Sequence, residues 1–285
     1  MKIKCIALDL DGTVLDSRGR LSEGNRSAIV RAAAAGLHVV VASGRSLDSL
    51  PEEITAIRGI RYAVTSNGAA VYDLRERKCL RQCKLTPESV DYILRYTGHI
   101  EEVYGERVSY ETFIGGKPYA AKEYIEDPVR FGAMPRAISY IQNTRTPVDD
   151  IRGFIREHRE ELDCIDIVVG SGELKQKLWS ELERSAEDVY ITSSVRQLLE
   201  IAHRDAGKDA GAEFLLGMLG LKKEELAAFG DADNDIGLLR MAGIGFAVAN
   251  ASPECREAAD RIVASNDEDG VARGIGEILE MNCQQ

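Results

Sequence analysis

Apolar and polar positions alternate along this chain in two rhythms. Residues 3–8 (IKCIAL) form a nearly continuous apolar run of strand length. Such runs suit the central strand of a parallel sheet that is covered on both faces. Residues 22–35 have helical composition, with Gly36 placed to cap them. LHVVVASGR (37–45) is a second β-branched run ending in a small-residue turn. Residues 47–57 predict a helix, and residues 62–65 a short strand that ends in SNG. The same rhythm returns late in the chain, with helices over 208–219, 235–241 and 253–259 and strands over 226–229 and 243–250. Alternation of this kind predicts an α/β domain with parallel strands.

Between the two halves the pattern changes. Helices are predicted over 85–96, 151–161 and 172–185, and strands over 103–113, 164–169 and 198–202. The chain therefore divides into a core of residues 1–83 and 203–285, interrupted by an α+β insertion over 84–202. Its 285 residues also exceed the usual span of one domain, about 100–150 residues.

Composition narrows the function. Thirty-six Lys and Arg against 47 Asp and Glu give a net charge of −11, which argues against a nucleic-acid binder that must displace counterions from phosphates. A phosphorylated small molecule stays open, because a site can be locally positive on an acidic protein. No apolar run approaches the roughly 20 residues that span a bilayer. The apolar stretch after the N-terminal lysines is too short for a signal peptide, and six cysteines without CxxC spacing fit a reduced, cytoplasmic protein. Nothing in the sequence speaks to oligomeric state.

The chemistry gathers at predicted strand ends, where α/β sheets bind ligands. Asp9-Leu10-Asp11-Gly12-Thr13 ends the first strand. Residues two apart in extended chain project to one side, so Asp9 and Asp11 are expected in one small volume. Two unit charges about 4 Å apart repel by about 4 kcal/mol at an effective dielectric of about 20, and a cation or a shared proton would relieve this. Gly230-Asp231-Ala232-Asp233-Asn234-Asp235 ends a late strand. Asp9, Asp11 and Asp231 together would make the incomplete carboxylate site that magnesium prefers. The competing explanation for the late cluster is that its acids cap the helix near Asp235. Ser43-Gly44-Arg45 offers a hydroxyl and turn amides at a helix start, and Lys208 opens a helix from which an ammonium could reach the same crevice.

DLDGT, SGR, a lysine before a helix and GDADND, in that order, resemble the haloacid dehalogenase superfamily, and most closely its Cof-type phosphatases. TSNGAAVYD (65–73) and FAVANA (246–251) are similar to that subfamily as well. The resemblance implies a Rossmann-like core and a cap of the larger α+β type inserted between Arg45 and Lys208. It further implies that Asp9 attacks phosphorus and becomes an aspartyl phosphate, while Asp11 protonates the leaving oxygen and then activates water. Magnesium would be held by Asp9, the Asp11 carbonyl and Asp231, with Asp235 behind them. Leu10, Ser43, Gly44, Arg45, Lys208 and Asn234 would form the phosphate site. Asp209 stands where the subfamily usually has glycine, a difference expected to touch packing. The expected activity is hydrolysis of small phosphate esters such as sugar phosphates. A sugar phosphomutase would use the same residues, and a phosphoacceptor signalling protein shares the acids and the lysine but has no place for the insertion.

Overall fold

A computed structural model describes residues 2–105 and 107–284. The strands in chain order are β1 (Cys5–Leu8), β2 (His38–Ala42), β3 (Ile60–Thr65), β4 (Ala70–Asp73), β5 (Lys78–Gln82), β6 (Ser109–Ile114), β7 (Lys117–Ala121), β8 (Thr146–Val148), β9 (Leu162–Val168), β10 (Val189–Thr192), β11 (Leu198–His203), β12 (Leu226–Gly230), β13 (Ile244–Val248) and β14 (Arg261–Val263). They form two sheets, and the chain separates into two compact units: residues 1–45, 50–81 and 207–285, and residues 46–49 with 82–206.

The first unit holds an eight-stranded sheet in the order β14-β13-β12-β1-β2-β3-β4-β5. From β14 to β3 every pairing is parallel. Every residue of β1, β12 and β13 is buried, which explains their unbroken apolar runs: helices cover the sheet and leave no face for water. One such contact is tight. Gly274, in the helix Gly270–Cys283, lies so close to the stacked rings of Phe229 and Phe246 that a Cβ there would overlap the first and crowd the second. Because the parallel strands share one direction, the residues after Leu8, Ala42, Thr65 and Gly230 all emerge along one edge of the sheet.

At the other edge the sheet continues antiparallel, with β3 paired to β4, a strand the sequence pattern did not predict. The stretch between them is a tight SNG turn, too short to hold a crossover helix. The helix expected over 47–57 is also broken. A short 3-10 turn, Leu47–Ser49, is followed by Pro51 and a single helical turn, Glu52–Thr55, since Pro51 lacks the N–H that a continuous helix requires.

The second unit holds a six-stranded sheet in the order β10-β11-β9-β6-β7-β8. Its core is built from Ile165, Ile167, Leu199 and Ile201 of the sheet with Leu174, Leu178 and Leu182 of the helix Gly172–Ser185 and Val90 and Ile93 of the helix Pro87–Tyr104. That last helix runs well past the expected end at 96 and stops at Gly105 (φ 68°). Strand β6 therefore begins only at Ser109, later than the expected 103. Gly98, which reads as a helix breaker, sits mid-helix where a Cβ would come within 3.1 Å of the Arg152 guanidinium.

Candidate active site

Asp9 follows β1 directly and is buried among charges. Its Oδ1 accepts a hydrogen bond from Lys208 Nζ at 2.7 Å, and the same ammonium donates to Asp235 Oδ1 at 2.6 Å. Lys208 is the first residue of the helix Lys208–Leu219 and is fully buried. The ordinary fate of a helix lysine, a solvated surface position, does not apply to it. Asp231, after β12, is half-buried and accepts the Thr13 hydroxyl on Oδ1 at 3.0 Å. Asp9, Asp231 and Asp235 each bring an oxygen to a cluster in which all three lie within 4.8 Å of one another.

Three carboxylates and one ammonium leave an excess of negative charge, and the ionisation of the group shows it. Burial, partly offset by Lys208 and reinforced by Asp235 and Asp231, pushes the Asp9 carboxyl well above the usual carboxylate range. Burial and then Asp235 push Asp231 up to about 7. Lys208 is raised as well, because Asp235 and Asp9 outweigh the burial that opposes its charge. Acids held this way accept a proton or a cation to become neutral.

Asp235 does two jobs. Its Oδ1 holds Lys208, and its Oδ2 accepts the N–H groups of Asp231 at 3.0 Å and Ala232 at 3.1 Å. Both N–H groups precede the helix Ile236–Met241, whose own N–H groups the Asp235 side chain does not cap. The capping explanation therefore holds only for the short turn Asp233–Asp235 and leaves the Lys208 contact and the exposure of Asp231 to be explained by chemistry.

The two aspartates of the first motif part company. Asp11 is 54% exposed and grips Arg45 in a two-pronged pair, Nε to Oδ2 and Nη2 to Oδ1, each at 2.7 Å. It is not among the acids clustered with Asp9, contrary to the extended-chain reading, because the chain already turns at Leu10, whose carbonyl accepts from Thr13 and Leu15, and turns on through Gly12 (φ 81°). A Cβ at Gly12 would overlap the Asp231 carboxylate, so the glycine permits both the turn and the close approach of the two acidic loops.

The other predicted positions divide unevenly. Ser43 is buried, and its Oγ accepts the Arg45 N–H at 3.2 Å. Gly44 sits between them in the same turn. The regular helix expected to follow this turn is absent, so no helix dipole stands behind it. The Arg45 guanidinium is engaged with Asp11. The Leu10 side chain is fully buried and its carbonyl accepts from Thr13 and Leu15, which confines any substrate contact to its N–H. Asn234 is buried beside the cluster and donates from Nδ2 to Asn67 Oδ1 at 3.0 Å. Asp209, the departure from the subfamily pattern, lies against Gly237.

Sequence reasoning assigned no role to Thr13, Asn67 or Asn250. Asn250 donates to the Gly12 carbonyl at 2.8 Å and so ties the end of β13 to the first motif. Asn67 and Asn250 were visible as polar residues close behind apolar runs, the same signal that marked Asp9 and Asp231, and Thr13 closes the DLDGT segment.

Comparison with known proteins agrees with this geometry. A family model for haloacid dehalogenase-like hydrolases matches residues 6–275. A phosphatase of Bacillus subtilis, YwpJ, is 30% identical over 97% of this chain and 100% of its own length. A second B. subtilis relative, the 5-amino-6-(5-phospho-D-ribitylamino)uracil phosphatase YcsE, is 27% identical over 96% of this chain and 94% of its own. Among solved structures, a haloacid dehalogenase-like hydrolase from B. subtilis superposes with a TM-score of 0.81 at 26% identity, covering 96% of this chain and 99% of that one. No helix among the described residues is long and apolar enough to cross a membrane.

Proposed function

The chain belongs to the haloacid dehalogenase-like hydrolases, and on that premise we propose that it is a magnesium-dependent phosphatase in which Asp9 carries the phosphoryl group. At the coarser level it is a phosphatase of small phosphorylated molecules, as its named relatives are. The finer reading rests on one observation: Lys208 bridges Asp9 and Asp235 at 2.7 and 2.6 Å inside a three-carboxylate cluster.

The donor set fits a hard cation. Clustered carboxylate oxygens with room for water and substrate suit magnesium, and the excess negative charge described above gives it a reason to bind. Both Asp235 oxygens are engaged, so Asp9 and Asp231 would hold the ion directly with Asp235 behind them. The Asp11 carboxylate is held by Arg45, which limits its share in metal binding to the main-chain carbonyl. When bound, magnesium supplies charge neutralisation for the phosphoryl group.

Asp9 then attacks phosphorus, and the ester oxygen leaves with a proton from Asp11. Water afterwards attacks the aspartyl phosphate while Asp11 takes up its proton, releasing inorganic phosphate and restoring the Asp9 carboxylate. Asp11 is exposed and can exchange a proton with solvent, and one of its oxygens must leave Arg45 for it to carry that proton. Lys208 and the Ser43 hydroxyl bring donors to the transferred group, the main requirement of phosphoryl transfer, and the Asn234 amide stands beside them with its nitrogen held by Asn67. The purified protein should therefore hydrolyse a panel of aryl, sugar and ribityl phosphates with magnesium, and activity should vanish with a chelator. Full activity of the chelated protein would contradict the metal role. A product that stays phosphorylated at a new position would reassign the enzyme as a phosphomutase.

A further inference from the structure

Asn67 lies in the turn after β3, within the TSNGAAVYD segment but without a role assigned to it above, and three loops of the site meet on it. Its main-chain N–H donates to the Ser43 carbonyl at 3.2 Å, and its carbonyl accepts the N–H of Gly207, the residue before Lys208, at 2.8 Å. Its side-chain Oδ1 accepts from Asn234 Nδ2 at 3.0 Å. One residue thus ties together the turn that carries Ser43, the start of the helix that carries Lys208, and the loop that carries Asn234 and Asp235.

The turn is shaped to allow this. Ser66 and Asn67 both take left-handed backbone, with φ of 51° and 52°, and Gly68 follows at 89°. Asparagine is among the few side chains that adopt that conformation readily. Gly68 presses against Gly207 so closely that a Cβ would overlap the Gly207 carbonyl. Strained backbone persists where the surroundings over-determine it, and it collects at functional sites.

The side-chain contact has a directional consequence. Asn234 is buried, and its Oδ1 has no hydrogen-bond partner among the described residues. An amide whose nitrogen is held by Asn67 must turn its oxygen the other way. Buried polar atoms without partners are rare and call for a ligand or a functional reason.

We propose that Asn67 is a positioning residue for phosphoryl transfer, orienting the Asn234 amide by its side chain and anchoring the Ser43 and Lys208 segments by its backbone. This rests on the phosphatase reading of the site. Asn67→Gly isolates the side chain, because glycine keeps the left-handed backbone and both main-chain hydrogen bonds. With magnesium and an aryl phosphate, kcat should fall about 10- to 100-fold, the scale of a misplaced reacting group, while KM stays within about twofold. On an Asn234→Ala background the same change should cost less than about twofold more, since residues acting through one contact are not additive. Losses that multiply in the double variant, or an Asn67→Gly enzyme with unchanged kcat, would overturn the proposal. A second readout is independent of turnover: the Asn234 side-chain amide protons should be protected from solvent exchange by NMR and lose that protection in Asn67→Gly. If the wild type cleaves no ester but this protection behaves as expected, the phosphatase reading fails and the brace stands. If the wild type is active and the protection is unaffected by Asn67→Gly, the brace fails alone.

Discussion

Each compact unit of this protein buries several carboxylates beside one cation, and the two groups differ in where the backbone puts them. In the first unit Asp9 and Asp231 stand just past the ends of parallel strands, with Asp235 a turn further on and Lys208 between. In the second, Glu111, Asp166 and Glu200 face one another in mid-strand across β6, β9 and β11. There Arg145 meets Glu111 Oε2 through Nε at 3.1 Å and Nη2 at 2.7 Å, and Glu200 is satisfied by Ser194. Burial, then Glu200 and Glu111, hold Asp166 well above the usual carboxylate range. Like charges directly opposite destabilise a sheet, and a proton on Asp166 relieves this row. The strand-end acids sit on turns with a half-exposed member and can be relieved by a cation from outside. Similar side chains therefore read as chemistry in one place and as architecture in the other.

The largest expected effect would separate these readings most sharply. Asp9→Asn should cut turnover by about 10⁴-fold or more, the scale of losing a nucleophile, while leaving the thermal midpoint unchanged or raised, because one buried charge is gone. Steady-state rates and a melting curve on the same sample check both halves. A stability loss that accounts for the missing activity would make Asp9 structural, like Glu111.

The converse experiment addresses the second cluster. Arg145→Met leaves Glu111 buried without its cation, and breaking a buried pair this way costs about 3–5 kcal/mol. Urea unfolding should show that loss, with kcat per folded molecule within about twofold of the wild type. A variant that folds normally but loses activity would move this cluster into the chemistry.

A smaller effect comes from pH. Asp231 is raised from 3.8 to about 7 in the folded protein, so folding takes up a proton between those values. The stability it contributes is present below about pH 4 and is lost as pH rises through about 7. Metal-free protein should accordingly melt lower at pH 8 than at pH 5. Magnesium should raise the midpoint more at pH 8, by about 3 °C or more, which is roughly what 1 kcal/mol produces in a chain of this size. Asp231→Asn should abolish the magnesium effect. An equal magnesium shift in that variant would place the cation elsewhere.

Much of the site was legible because polar residues follow directly on apolar strand runs: Asp9 after Leu8, Ser43 after Ala42, Asp231 after Gly230. What the sequence hid was contact between distant segments. The pairing of Asp11 with Arg45 spans two loops, and extended-chain geometry pointed Asp11 towards Asp9, whereas the chain turns at Leu10 between them. Burial of Lys208 likewise depends on Asp9 and Asp235 lying at its tip. In the fold, the helix Gly270–Cys283 escaped notice although its buried positions 270, 271, 274, 275 and 278 recur at helical spacing, because its glycines are poor helix formers; Gly274 is needed to clear Phe229. Strand β14 has only three residues, two of them exposed, too few to show a pattern. Arg145 gave no sign of its role, since nothing in its neighbourhood predicts a partner 34 positions earlier.

The most direct test of the central claim is to catch the phosphoryl group on its carrier. Asp11→Asn should slow the water step, so a rapid acid quench with a labelled aryl phosphate and magnesium should leave label on the protein. Borohydride reduction, which converts a phosphorylated aspartate to homoserine, should then place homoserine at position 9 by peptide mass spectrometry. Label on another residue, or sustained turnover in Asp9→Asn with no labelled protein, would contradict the assignment of Asp9 as the nucleophile.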